Sequence, residues 1–146
     1  MSNICPQKAD LNQGLWQRLE ADILNKYCTV ENNKEHVWVL IGPIFSDNPE
    51  YITRRNGTRV AVPTSFYCIL SRPFRYPEDT PSSSEYIAFI FSQDTPRNQV
   101  LNTSSVVSIN EIEAQTHLNF FSGFTQHYQN TIENAEAPTV WRNVAP

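Results

Sequence analysis

Seven apolar residues between positions 11 and 27 recur at intervals of three and four: Leu11, Leu15, Trp16, Leu19, Ile23, Leu24 and Tyr27. That spacing lines one stripe of a helix whose other side is polar, so the helix has to bury its stripe against a partner layer. The partner is supplied further along the chain. Residues 36–41 (HVWVLI), 59–62 (RVAV), 66–70 (FYCIL) and 86–91 (YIAFIF) are β-rich runs bounded by Gly, Pro and Asn. The first ends at Gly42-Pro43 and, lacking clean alternation, reads as a strand buried on both faces. A chain of 146 residues buries roughly two thirds of its unfolded surface, enough for one core and one domain. One helix followed by several strands predicts an α+β fold: a mostly antiparallel sheet from 37–41, 60–62, 66–70 and 86–91, with the helix packed through Leu15, Trp16, Leu19 and Ile23.

Local signals refine this outline. Asp10 reads as an N-cap, with Gln13 three residues on to close a capping box. Gly14 weakens the second helical turn by about 1 kcal/mol relative to Ala, so it marks a close approach to the backbone. Asn56-Gly57 reads as a turn, and the prolines and serines of residues 73–84 read as a surface loop. Ser108 with Glu111 is a capping signature that opens a short helix through Ile109, Ile112, Glu113 and Thr116. After Phe124 the periodicity fades, which divides the chain into a domain of residues 1–124 and a tail of residues 125–146 with Trp141 as an anchor.

Composition excludes several classes. Aromatics at 12% argue against disorder, and a net charge of −4 argues against a general electrostatic affinity for nucleic acid. No apolar run is long enough to span a bilayer, so no membrane partner is expected. Met1 is followed at once by Ser2, Asn3 and Ile4, with no export signal, so the chain as written reads as cytoplasmic. Cys5, Cys28 and Cys68 are an odd count, open to three buried thiols or to one pair and a leftover.

Two constellations carry chemistry. Asn12 and Glu20 are eight residues apart, about 12 Å along a regular helix and about 80° around it. Asn12 can ligate a hard cation directly and Glu20 can reach it through water, a pattern that suits Mg²⁺, which keeps most of its waters. A first-turn polar residue beside a solvated glutamate is the plainer account of the same pair. Arg54, Arg55 and Arg59 form the dense basic cluster, placed on a turn where they can hold phosphates without reading bases or simply face solvent. His36, His117 and His127 are scattered, and none is nominated as a general base.

Residues 2–20 (SNICPQKADLNQGLWQRLE) closely resemble the metal-ion helix of the DNA/RNA non-specific endonucleases, sugar-non-specific nucleases with a ββα-metal core. Residues 37–45 (VWVLIGPIF) resemble the family's central strand, residues 60–70 (VAVPTSFYCIL) its following hairpin and residues 108–121 (SINEIEAQTHLNFF) its C-terminal helix. The resemblance implies a metal-dependent endonuclease that hydrolyses DNA and RNA backbones without base preference. It implies Asn12 as the protein ligand of Mg²⁺, with Mn²⁺ able to replace it, Glu20 as the holder of the ion's water, and Asn3 and Gln7 as active-site polar groups. Arg54, Arg55 and Arg59 are the candidate phosphate contacts.

Three departures qualify the resemblance. Cys68 stands where the family usually has Lys, and His117 where it usually has Gly. The family's Asp-Arg-Gly-His motif, which supplies the general base, belongs upstream of Ser2, where this sequence has only Met1. The expectation is therefore an N-terminally truncated nuclease domain, catalytically incomplete as given, with an inert structural or interaction domain as the alternative. A full gene with an upstream signal peptide would make the protein secreted or periplasmic, where Cys28 and Cys68 could pair.

Overall fold

The computed structural model describes residues 5–27, 37–71 and 86–135. Asn3, Cys28, His36, the 73–84 stretch and Trp141 lie outside them. The first helix, α1, covers residues 9–27 as an α turn at Ala9–Leu11, a wide π turn at Asn12–Trp16, an α segment at Gln17–Asp22 and a second π turn at Ile23–Tyr27. The strands that follow are β1 (Trp38–Ile44), β2 (Glu50–Thr53), β3 (Arg59–Val62), β4 (Ser65–Ser71), β5 (Tyr86–Ser92) and β6 (Val106–Val107). Helices α2 (Ile109–Thr116) and α3 (Gln126–Glu133) close the described chain. No helix among the described residues is long and apolar enough to cross a membrane.

The central sheet has the order β1-β4-β5-β6, and every pairing is antiparallel. Strand alternation sends Phe66, Cys68 and Leu70 of β4, and Ile87, Phe89 and Phe91 of β5, to one face. There they meet Leu11, Leu15, Trp16, Leu19 and Ile23 of α1. Tyr67, Ile69, Tyr86 and Ala88 point the other way, onto Ile109 and Ile112 of α2 and Ile132 of α3. The sheet is thus covered on both faces, and the helical stripe packs through the four residues that the spacing nominated. Leu24 is the exception, at 68% exposed.

Several expectations are corrected. Residues 60–62 do not join the central sheet: β3 pairs with β2 in a separate hairpin whose turn places Gly57 at φ 81°. Buried Pro63 has no N–H to give a ladder, so residues 60–70 are not one hairpin, and β3 and β4 part company there. Strand β1 does not end at Gly42-Pro43 but runs on to Ile44, with Pro43 opposite Phe66. As an outer strand it leaves Trp38 and Val39 exposed at its start, but Ile41 packs on one face of the sheet and Leu40 and Ile44 on the other, so burial on both faces holds for its second half. An outer strand tolerates a proline that a central one would not. Asp10 is not the N-cap; Lys8 occupies that position without a side-chain bond, and Asp10 lies in the first turn, where its charge suits the helix dipole.

The capping signature at Ser108 forms as read, its Oγ accepting from the Glu111 N–H at 3.1 Å. The same helix ends on His117 at φ 58°, ψ 24°, with its N–H donating to the Glu113 carbonyl at 2.7 Å. A left-handed cap suits glycine, and a Cβ there costs about 1–2 kcal/mol. His117→Gly is expected to raise stability by about 1 kcal/mol, seen as a higher urea midpoint with an unchanged slope. An unchanged or lower midpoint would show that the imidazole repays its backbone.

Glu133, the last residue of α3, is buried, and its Oε1 has no hydrogen-bond partner. Burial, and then the charge of Glu113, push its carboxyl above the ordinary value of 4.5. The folded state therefore holds this proton more tightly than the unfolded chain, and stability falls as pH rises from about 4.5 through the raised value. Glu133→Gln is expected to raise the melting temperature at pH 7, with the gain shrinking towards pH 4. A gain independent of pH would sink this account.

Candidate metal and phosphate site

Residues 5–8 lead into α1 alongside the loop that follows β5. Where this lead-in meets the helix, Cys5, Gln7, Asn12, Trp16, Glu20, Val39, Ile41 and Phe66 line a cavity of about 450 Å³. Three of the residues singled out in the sequence, Gln7, Asn12 and Glu20, are therefore neighbours around one space. A regular helix separates Asn12 from Glu20 by about 80°. The wide turn at Asn12–Trp16, with Gly14 off helical geometry, breaks that regularity, and both side chains border the cavity.

Each polar group has a distinct supporting contact. Trp16 is fixed in the core, its ring 5.6 Å from that of Phe66 and 6.1 Å from that of Phe91. Its Nε1–H donates to Glu20 Oε1 at 3.2 Å, across one helical turn. The indole thus orients the carboxylate and leaves its second oxygen for a ligand or water. Gln7 Nε2 is buried without a hydrogen-bond partner, a donor that an anion's oxygen or a bound water would satisfy. Asn12 is exposed, and its backbone N–H is already bonded to the Lys8 carbonyl at 3.0 Å, so its side chain is free of a capping duty.

The donor set fits a hard cation that keeps its water. It offers the amide oxygens of Gln7 and Asn12 and the Glu20 carboxylate, oxygen donors of the kind a hard cation takes, and among the described residues no group of three or more His, Cys, Asp or Glu side chains converges. The Cys5 thiol lies on the cavity wall, and burial pushes it up.

Other candidates lie elsewhere. Arg54 and Arg55 sit at the tip of the β2–β3 hairpin, and the Arg59 guanidinium lies 4.1 Å over the ring of Tyr51. All three are exposed, and none lines the cavity. His117 and His127 belong to the helices on the opposite face of the sheet. Cys68 is a free, fully buried thiol pushed up to about 12, so it forms no bridge. Trp16 was not singled out as a site residue, although its four-residue spacing from Glu20 is a signal that could have found it.

Residues 1–127 match the profile of the DNA/RNA non-specific endonucleases. The chain is 28% identical over 136 residues to a nuclease of Serratia marcescens, covering 92% of this chain and 47% of that protein. It is 32% identical over 134 residues to the mitochondrial nuclease EXOG of Mus musculus, covering 83% of this chain and 33% of that protein. It thus spans less than half the length of these relatives. A chain in the crystal structure of the EndoG/EndoGI complex superposes with a TM-score of 0.52 at 21% identity, covering 93% of this chain and 55% of that one. Antiparallel sheet, flanking helices and the wide-turned α1 place the chain in the architectural class of the ββα-metal nucleases. The chain belongs to the DNA/RNA non-specific endonuclease family.

Proposed function

We propose that this chain forms the metal- and phosphate-holding part of a nuclease centre that acts on DNA and RNA backbones without base preference. The observation that carries this reading is the convergence of Gln7, Asn12 and Glu20 on one cavity. Asn12 would hold Mg²⁺, or Mn²⁺ in its place, through its side-chain oxygen. When bound, that ion supplies charge neutralisation at the phosphate and a template for water. Glu20, aimed by Trp16, would accept a hydrogen bond from that water, and the unpartnered Gln7 amide would donate to a phosphate oxygen. Arg54, Arg55 and Arg59 meet the backbone beyond the cavity, where exposed guanidinium groups position phosphates without reading sequence.

Hydrolysis also needs a base within hydrogen-bond reach of the attacking water. Among the described residues no histidine borders the cavity, and Glu20 already has one oxygen committed to Trp16. The reading is therefore confined to what these residues do, which is to hold the ion and the phosphate. Titration calorimetry of the chain with Mg²⁺ and a short oligonucleotide tests it. Heats that require both components, are similar for DNA and RNA, and vanish with chelator are expected. A protein that takes up neither ion nor oligonucleotide would refute the proposal.

A further inference from the structure

Gln93 is the first residue after β5, does not line the cavity, and is 4% exposed. Both ends of its side-chain amide are engaged. Oε1 accepts from the Lys8 backbone N–H at 2.8 Å, and Nε2 donates to the Pro6 carbonyl at 2.7 Å. The two bonds bracket Gln7, the residue between them. Gln93 is itself fixed, because its backbone N–H donates to the Thr64 carbonyl at 2.9 Å. Asp94, next in the chain, pairs with the Lys8 ammonium. Nothing else in the described lead-in ties residues 6–8 to the sheet through buried side-chain bonds.

We infer that Gln93 is a positioning residue: its amide clamps the backbone on either side of Gln7, and so sets the Gln7 side chain and Cys5 against the cavity that Asn12 and Glu20 border. The physical basis is complementarity. A lead-in of irregular backbone has no ladder to satisfy its N–H and C=O groups, and an amide offers one acceptor and one donor at the required separation. Glutamate would keep the acceptor for Lys8 and turn a second oxygen against the Pro6 carbonyl. Asparagine is one methylene too short to reach both. Methionine would keep the volume and delete both bonds.

This inference rests on the metal–phosphate reading of the cavity for its functional half, and on geometry alone for the clamp, so two readouts separate them. The first is the rate at which a disulfide reagent modifies Cys5 in the full chain carrying Cys28→Ser, measured without metal. Cys68 is fully buried and serves as the silent thiol. Gln93→Met is expected to raise that rate roughly 10-fold or more, because two part-buried bonds no longer hold the lead-in in place, with Gln93→Glu between it and the parent. The second is the affinity for Mg²⁺ in the presence of oligonucleotide, expected to fall about 10–100-fold in Gln93→Met.

Ile132→Val, buried beneath the opposite face of the sheet, serves as a control for lost stability. It is expected to leave both readouts unchanged. An unchanged Cys5 rate in Gln93→Met overturns the clamp. A faster Cys5 with an unchanged affinity, while Asn12→Ala loses binding, overturns the positioning role. Should Asn12→Ala change nothing, the metal–phosphate reading falls, and the Cys5 rate still decides the clamp.

Discussion

Asn12→Ala is expected to abolish oligonucleotide-dependent Mg²⁺ binding while leaving the fold within about 0.5 kcal/mol of the parent. The two halves of that expectation have separate causes. Asn is a neutral ligand, so the protein places no charge directly on the ion, and binding is weak until phosphate oxygens complete the shell. On the proposed reading, removing the amide would leave the ion no direct protein ligand. The fold is spared because the Asn12 side chain is exposed, makes no cap bond, and contributes nothing to the stripe that meets the sheet. Alanine also has the better helix propensity.

Glu20 needs a gentler substitution, since Glu20→Ala would strand the Trp16 indole N–H. Glu20→Gln keeps an acceptor for Trp16 and removes the charge, and should weaken binding by about 10–100-fold. Calorimetry with Mg²⁺ and a short oligonucleotide measures all three proteins. Equal heats for the parent and Asn12→Ala would end the assignment of Asn12 as the ligand.

How far these features could be read in advance varies with their range along the chain. The α1 stripe was legible because periodicity over 17 positions is a local signal, and Leu15, Trp16, Leu19 and Ile23 are all buried against the sheet. Ser108 and Glu111 were legible for the same reason. Strand β2 was not, because Glu50–Thr53 is exposed along its whole length and shows no alternation. Nor was α3, whose buried side mixes Ile132 with Gln129 and Glu133. Spacing offered Asn12 and Glu20 as a candidate pair beside a plainer solvated account, and only the family resemblance added Asn3 and Gln7 and gave each residue a role. The bonds from Gln93 to Pro6 and Lys8 cross more than 80 residues of chain, and no local pattern announces them.

Gly14→Ala is expected to be among the most damaging small changes in the chain, although alanine is normally the better helix former by about 1 kcal/mol. A Cβ on residue 14 would lie 2.6 Å from the Arg97 carbonyl oxygen and 2.9 Å from the Arg97 Cα. These are backbone atoms, so no rotamer change relieves them. Nor can the 97–99 backbone swing away cheaply. The Arg18 guanidinium, one turn along α1, donates to the Arg97 carbonyl at 2.9 Å and also to that of Gln99. The helix and the loop are thus tied at the point where they would have to separate. Overpacking of this kind costs about 1–3 kcal/mol, and backbone on both sides puts Gly14→Ala at the upper end. For a domain of this size that is a loss of about 2–4 °C in melting temperature per kcal/mol. Because residue 14 belongs to the wide turn that carries Asn12, metal affinity should fall with it. Arg18→Ala should release the loop, so the double variant Gly14→Ala/Arg18→Ala is expected to lose less than the sum of the two single losses. Additive losses would show that the clash is relieved within the helix rather than by moving the loop, and a Gly14→Ala protein as stable as the parent would show that the close approach is not a constraint at all.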